Sequence, residues 1–559
     1  MAGSAAVQLR RDKLFNEIAE RGRELNTLIP IACFPDELLA EVFAFWIAES
    51  QRGVRSWLED EYTSPAWIRI AHVCHHWRTV ALQNPRLWST FAVTFEEFTA
   101  ELLARSKQAP LHLEIHRMAE VDLLWEPIQE QMHRIQDLTL INYAVPRSVS
   151  DFGGMRRAAP KLRSLHIEID DDSDFDIEPL QVEYFLTPFN AVDMPRLVDL
   201  QLSNAPVSWS EPLFKPTLTH LSFSLDFPWP ALRDVDIVHI LQVLKEMPHL
   251  QKLKLVNTLP DVSRPTTQVY KHACGTFPSL SSICLQGTTS AIWCVLAHMS
   301  FPAPAHLALS CIDDSQEQLE LLVAVIGERL GGISQPGPSH ESFLSVSSTA
   351  HQFCAWREDY DIATAPTVSR ALSGKKPDVS LTVRSRRTSP THDKSLFMMM
   401  CNALLLAEVR TLYIGSSSSH RPTGKTFALA LKTRMPKVRA LAAGRFVASE
   451  ALLPILSFGT GTGQEHVELV FPELETIVLH EVEVPDGHNI EGIRLGLRRR
   501  RKEGYGVRRV LFRECRGTAM VVFRENMREE GIVEVDSDHS ERHFVPKLMS
   551  EKFYDAHDR

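Results

Sequence analysis

Pro195-Arg196-Leu197-Val198-Asp199-Leu200-Gln201-Leu202 carries a spacing, Pro-x-Leu-x-x-Leu-x-Leu, that the chain repeats. It returns as Pro160-Lys161-Leu162-Arg163-Ser164-Leu165-His166-Ile167, and again at 216–223, 248–255 and 278–285. Later copies begin at Pro436 and Pro472, and weaker ones are Ile135/Leu138/Leu140 and Val409/Leu412/Ile414. Clear neighbours lie roughly 20 to 35 residues apart, the period of stacked repeats. The first leucine of each copy turns the chain into a short strand. The next two apolar residues, one residue apart, point to the same side because strand side chains alternate. The residue between them faces outward. Neighbouring copies pair their strands in parallel and bury one another's inner faces.

Several intervening segments read as helices. Asp236 caps one that carries Ile237, Ile240, Leu241, Leu244 and Met247 and stops before Pro248. Residues 316–330 carry Leu319, Leu322, Val323 and Ile326 and end at Gly331-Gly332. Residues 493–502 lead through Gly504 to a strand at 507–512. Residues 331–340 read as a loop. The stretch 345–389 has no clear period apart from the strand-like Val379-Ser380-Leu381-Thr382-Val383. Acidic residues 170–176 read as a solvated loop, with a dock for a basic partner as the alternative.

The repeat resembles leucine-rich repeats of the strand-plus-helix kind. Regular members place asparagine after the strand, whereas Asp170, Thr258 and Thr288 stand there. An irregular solenoid is therefore expected, with parallel strands on one face and helices or loops on the other.

Upstream, Phe34-Pro35-Asp36-Glu37-Leu38-Leu39 opens a helix. Pro35 suits a first turn, and Asp36 and Glu37 complement the positive end of the dipole. Leu38, Leu39, Val42, Phe43 and Trp46 form a broad apolar face. A second helix is expected from Ser64-Pro65, carrying Ile70, Val73, Trp77 and Val80/Ala81 and ending at Asn84-Pro85. These blocks, with Val73-Cys74-His75-His76-Trp77-Arg78 and Leu87-Trp88, resemble an F-box. The form with a long insert, here about Ala48 to Ser64 with Trp57 flanked by Arg55, Glu59 and Asp60, is like that of F-box proteins abundant in mushroom-forming fungi. Before it, residues 10–28 read as a charged helix with Leu14, Ile18, Leu25 and Leu28 on one stripe, interrupted by Arg21. It either packs on the next domain or forms a short coiled coil for weak dimerisation.

The expected class is α/β overall: an amphipathic helix (1–30), a small all-α F-box domain (31–95), an irregular repeat domain (96–540) and a tail (541–559). At 559 residues the chain exceeds one ordinary core. With 44% hydrophobic and 23% charged residues it reads as soluble and globular. A net charge of -10 argues against general nucleic-acid binding. No signal peptide or membrane span is read, since the most apolar run, 396–406, is short and contains Asn402. The 9 cysteines lack paired spacing, as in a reducing cytoplasm or nucleus.

The resemblance implies a non-catalytic substrate receptor of an SCF-type cullin–RING ubiquitin ligase. Pro35, Leu38, Leu39, Val42, Val73, Trp77, Leu87 and Trp88 are the candidates for contact with a Skp-type adaptor and, through it, a cullin, although some must form the internal core. The outward strand residues His166, Glu168, Gln201, Ser203, Ser222, Ser224, Lys254 and Cys284 are the candidate contacts for an unidentified target protein; the C-terminal loops are an equal alternative. The rival reading is a scaffold that binds the adaptor without a ubiquitin role.

Other motifs point elsewhere only weakly. Thr423-Gly424-Lys425-Thr426 has Ser419 where a phosphate loop needs glycine. Gly459-Thr460-Gly461-Thr462-Gly463 reads as a turn. His72 and His76 would share one face of a continuous helix but lack further metal ligands. No nucleophile–base set emerges, so neither cofactor, metal nor catalysis is expected. Arg498-Arg499-Arg500-Arg501-Lys502 reads as a solvated face near a helix C-terminus, with an import signal as the alternative.

Overall fold

A computed structural model describes residues 2–52, 66–93, 95–116, 127–141, 157–169, 193–205, 209, 212–226, 236–262, 275–303, 305–313, 315–330, 342–349, 351–362, 376–385, 396–415, 425–444, 452, 455–456, 469–480, 488–513, 515, 525, 528 and 534–537. Residues 53–64 of the long insert, the acidic run, both glycine-containing loops at 416–424 and 459–463, and the C-terminal tail lie outside them, while the insert's first residues, 48–52, continue a helix. The chain is α/β with mostly parallel strand pairing. It divides into two compact units, 1–260 and 261–559, so the division falls inside the expected repeat region rather than at its start.

The first unit opens with α1 (Ala2–Thr27) and a 3-10 turn, Pro30–Cys33. Among the described side chains of α1, all from Val7 to Thr27 are exposed except half-buried Asn26. The expectation of a helix packed on the next domain is therefore replaced by one surrounded by solvent. Helix α2 (Asp36–Arg52) starts just after Pro35, whose carbonyl accepts the Leu39 N–H at 3.0 Å. Leu39, Phe43 and Ile47 bury one stripe of it.

The second expected helix is two elements. A 3-10 stretch, Ala66–His72, stops before α3 (His75–Gln83). Cys74 is extended, and its Sγ accepts the Trp77 N–H at 3.4 Å, which restarts the helix there. His72 and His76 thus do not share a helical face. Asn84 ends α3, and its side chain accepts the Arg86 N–H to begin the 3-10 turn Pro85–Trp88.

Beyond this lie β1 (Thr90–Val93), α4 (Glu96–Arg105), β2 (Leu111–His116), β3 (Ile135–Ile141), β4 (Ser164–Glu168), β5 (Asp199–Ser203), β6 (His220–Ser224), α5 (Ile237–Lys245) and β7 (Lys252–Val256). Each strand pairs in parallel with the next in sequence. The register aligns Phe91, Leu113, Leu138, Leu165, Leu200, Leu221 and Leu253 in one buried row. Val93, Ile115, Leu140, Ile167, Leu202, Phe223 and Leu255 form the next.

The proline of each clear repeat has a physical job. In 159–162, 194–197, 215–218 and 247–250 it is the second residue of a turn closed by the leucine N–H on the carbonyl three residues back. Its fixed φ suits that position. The leucine is then delivered, buried, to the start of the strand. Helix α5 is capped as expected, with Asp236 Oδ1 accepting the Val238 N–H at 3.0 Å.

The second unit contains β8 (Gly275–Thr276), β9 (Ser282–Thr288), α6 (Thr289–His298), β10 (Met299–Ser300), β11 (His306–Asp313) and α7 (Gln316–Arg329). Then come β12 (Ser345–Ser348), β13 (Gln352–Trp356), β14 (Val379–Ser385), α8 (Leu396–Ala403), β15 (Thr411–Ile414), α9 (Lys425–Arg434) and β16 (Ala440–Gly444). The last elements are β17 (Thr476–His480), α10 (His488–Lys502), β18 (Arg509–Arg513) and β19 (Glu534–Ser537). Strands β9, β11 and β14 are parallel, as are β12, β15, β16, β17, β18 and β19. Strand β13 runs antiparallel between β14 and β12. That hairpin explains why 345–389 lacked the repeat period.

The outer face of this sheet differs from that of the first unit. Ala442, Val478 and Leu511 occupy outward positions yet are buried, clustered with Ile362. The segment after β13 brings Ile362 there. Tyr360 N–H donates to Ser345 Oγ at 3.0 Å, Ser345 Oγ donates to the Glu358 carbonyl at 2.8 Å, and Thr411 Oγ1 donates to the Tyr360 carbonyl at 3.1 Å.

Candidate functional site

Leu38 and Val42 share a face of α2 with Phe45, at i, i+4 and i+7. All are exposed: Leu38 by 55%, Val42 by 44% and Phe45 by 70%. Trp46, Phe34, Val73 and Leu82 are exposed as well. His76 Nε2 lies 3.6 Å from Asp36 Oδ1, which brings the start of α3 to the start of α2. Trp77 is half-buried, its ring 5.0 Å from that of Phe43.

Of the eight adaptor-contact candidates, Pro35, Leu38, Val42 and Val73 stand on the surface and Trp77 straddles it. Leu39, Leu87 and Trp88 do not: they are buried and build the domain interior. Trp88 Nε1 donates to the Ala81 carbonyl at 2.7 Å, and the Arg105 guanidinium lies 4.5 Å from its ring. Phe45 and Trp46 add apolar surface beyond that set. Trp46 already belongs to the apolar face read from the sequence; the signal for Phe45 is its spacing of seven from Leu38 and three from Val42, hidden because the buried stripe runs directly beside the exposed one.

On the first unit's sheet, His166, Gln201, Ser222 and Lys254 form one outward row with Glu114 and Thr139. Glu168, Ser203 and Ser224 belong to the next row. A third row holds His112, Asp137, Ser164, Asp199, His220 and Lys252. The described members are half-buried, except that Lys252 and Lys254 are exposed. Seven of the eight candidate target contacts therefore lie on one polar face. Cys284 lies on β9 of the second unit, level with Ala308.

The polar groups of this face bind one another. His166 Nε2 is 3.5 Å from Glu168 Oε2, and His112 Nδ1 is 2.5 Å from Asp137 Oδ2. Gln201 Nε2 donates to Asp199 Oδ1 at 3.3 Å, and Ser224 Oγ donates to Ser203 Oγ at 3.4 Å. Just past the strands, Asn204 and Asn257 adopt φ of 54° and 55°, a conformation asparagine tolerates better than most residues. Asn204 Oδ1 accepts the Asp226 N–H at 2.8 Å, and Asn257 Nδ2 donates to the Leu225 carbonyl at 2.8 Å. In these two repeats an asparagine thus sits one residue earlier than in the regular pattern, whereas Ile169 and Gly287 precede Asp170 and Thr288.

Among the described residues, no group of histidine, cysteine and carboxylate side chains could hold a metal ion. Seven described cysteines are free thiols, and burial pushes the Cys294 thiol up to about 12. Lys425 opens α9, but the loop before it lies outside the described residues. Arg500 overturns part of the solvated-face reading: it is buried, donating to the Val470 and Phe471 carbonyls at 2.8 and 2.6 Å. Burial pushes its pKa down to about 10. No helix among the described residues is long and apolar enough to cross a membrane. No protein-family model matches the chain, and no curated protein matches it.

Proposed function

We propose that the chain is the substrate-receptor subunit of an SCF-type ubiquitin ligase. Its N-terminal helical domain docks a Skp-type adaptor and its repeat sheet holds a target protein. The observation that carries this reading is the exposed apolar face of α2, Leu38, Val42, Phe45 and Trp46, beside a stripe that already fills the domain core. Exposed apolar surface of this kind marks a partner site. The polar outer face of β2 to β7 supports the second half, because it offers mixed donors and acceptors to a protein partner. The receptor works by raising the effective concentration of target lysines near the conjugating enzyme.

The test is binding of the purified chain to a Skp-type adaptor. Leu38→Asp with Val42→Asp puts charges into the contact, where unpaired carboxylates are costly. Binding falls at least a hundredfold while the circular dichroism spectrum is unchanged. Wild-type strength in that variant, or no binding by wild type, defeats the reading. Recovery of the adaptor with the chain but never a cullin would favour the scaffold alternative.

A further inference from the structure

We propose that α1 pairs with α1 of a second copy of this chain as a two-helix antiparallel coiled coil. Val7, Leu14, Ile18, Leu25 and Leu28 lie between 52% and 78% exposed, so the stripe has no cover from its own chain among the described residues. A Cβ built on Gly22, on the flank of that stripe, meets nothing within 4 Å. A lone helix of this length containing glycine is marginal in water, and burying its apolar stripe is what makes it persist.

The spacing is that of a coiled-coil seam. Val7, Arg11, Leu14, Ile18, Arg21, Leu25 and Leu28 follow alternating steps of four and three residues. The two arginines that break the apolar run are both held by their own helix. The Arg11 guanidinium sits 5.4 Å from the centre of the Phe15 ring, and Arg21 Nη1 pairs with Glu24 Oε2 at 2.8 Å. Phe15 and Glu24 lie on opposite flanks, so the arginines lean away from the seam to either side.

Charge and register choose the orientation. Arg10, Arg11 and Lys13 outweigh Asp12 in the first half of the helix, and Glu17, Glu20 and Glu24 outweigh Arg21 and Arg23 in the second. An antiparallel partner centred near Asn16 sets Leu14 against Ile18 and Val7 against Leu25 of the other copy. Arg10, Glu17 and Glu24 share a flank, so each Arg10 meets the other copy's Glu24, and these two ion pairs bracket a single like-charge contact of Glu17 with Glu17 at the two-fold axis. The arrangement repeats itself under a two-fold axis, as a closed dimer requires. It brings Arg11 level with the other copy's Arg21, both already drawn to the flanks. Parallel pairing instead opposes each arginine to itself and offers Arg10 no carboxylate.

Sedimentation velocity of the full chain with reductant present, over a wide concentration range, tests this. Wild type shows a reversible monomer–dimer equilibrium. Leu14→Glu with Ile18→Glu leaves only monomer, and the fold is kept because both side chains are exposed in the single chain. Arg10→Glu and Glu24→Arg each weaken the dimer about fivefold or more, in line with exposed ion pairs. Combining the two restores it. The residues are too far apart along one helix to pair within it, so rescue requires contact across copies. A wild type that stays monomeric or forms larger assemblies overturns the proposal, as does a dimer that survives the Leu14/Ile18 change. Absence of rescue overturns the antiparallel arrangement.

Discussion

Arg134, Arg329 and Arg500 perform one task at different points of the chain. Each donates to backbone carbonyls of a neighbouring segment. Arg134 donates to the Ala109 carbonyl at 2.9 Å and to Ser106 Oγ at 3.1 Å. Arg329 donates to the Ala297 carbonyl at 2.7 Å, at the end of α6, where a cation also complements the helix dipole. Arg500 secures a turn whose first residue, Phe471, has a φ of 53°, a strained value for a bulky side chain. Removing Arg500 takes a charged donor from the Val470 carbonyl and from the Phe471 carbonyl, which keeps only the Leu474 N–H at 3.1 Å. Arg500→Ala is expected to cost about 3 kcal/mol in urea unfolding, the size of a charge-assisted pair of hydrogen bonds. Exposed Arg501→Ala next to it changes stability by less than about 0.5 kcal/mol. Equal effects would mean the carbonyl contacts contribute nothing. Leu38 and Leu39 make the same contrast: Leu39→Ala costs about 2–5 kcal/mol as a core truncation, and Leu38→Ala almost nothing.

Helices in the second unit approach one another closely enough to demand glycine. A Cβ on Gly327 of α7 would lie 2.7 Å from the Ala403 carbonyl oxygen, at the end of α8. In an open helix, Gly→Ala stabilises by about 1 kcal/mol. Here the contact is with backbone, so Gly327→Ala reverses that sign and destabilises by about 1–3 kcal/mol. A raised melting temperature in that variant would show that the helices part without cost. The strands obey a simpler rule: one apolar residue in two fills the interior, and the proline turn fixes which one.

The two units use the outer side of their sheets in different ways. In the first, the face is polar and half-exposed, built from His166, Gln201, Ser222 and their neighbours. In the second, Ile362 covers the face at Ala442, Val478 and Leu511 of β16 to β18. Thiol labelling separates them. Ser222→Cys reacts with maleimide in the native protein, whereas Val478→Cys reacts only after unfolding. Fast native labelling at Val478 would mean the covering segment opens readily. For the proposed target, the first unit's half-exposed face therefore offers more than the buried Ala442 and Val478, while Cys284 is half-buried like His166 and its neighbours.

The sequence by itself determined the parallel strands, because the Pro-x-Leu-x-x-Leu-x-Leu spacing dictates both turn and inward face with local chemistry. It also determined the cap at Asp236 and the start of α2, both set by residues adjacent in the chain. Tertiary structure alone decided which of Leu38 and Leu39 faces water, since adjacent apolar residues leave the helix a choice that only its neighbours settle. It decided that an antiparallel strand enters the second sheet and that Arg500 is interior. Each of those depends on partners distant in sequence: a strand reached across a hairpin, or carbonyls some thirty residues away whose need for donors no local pattern records.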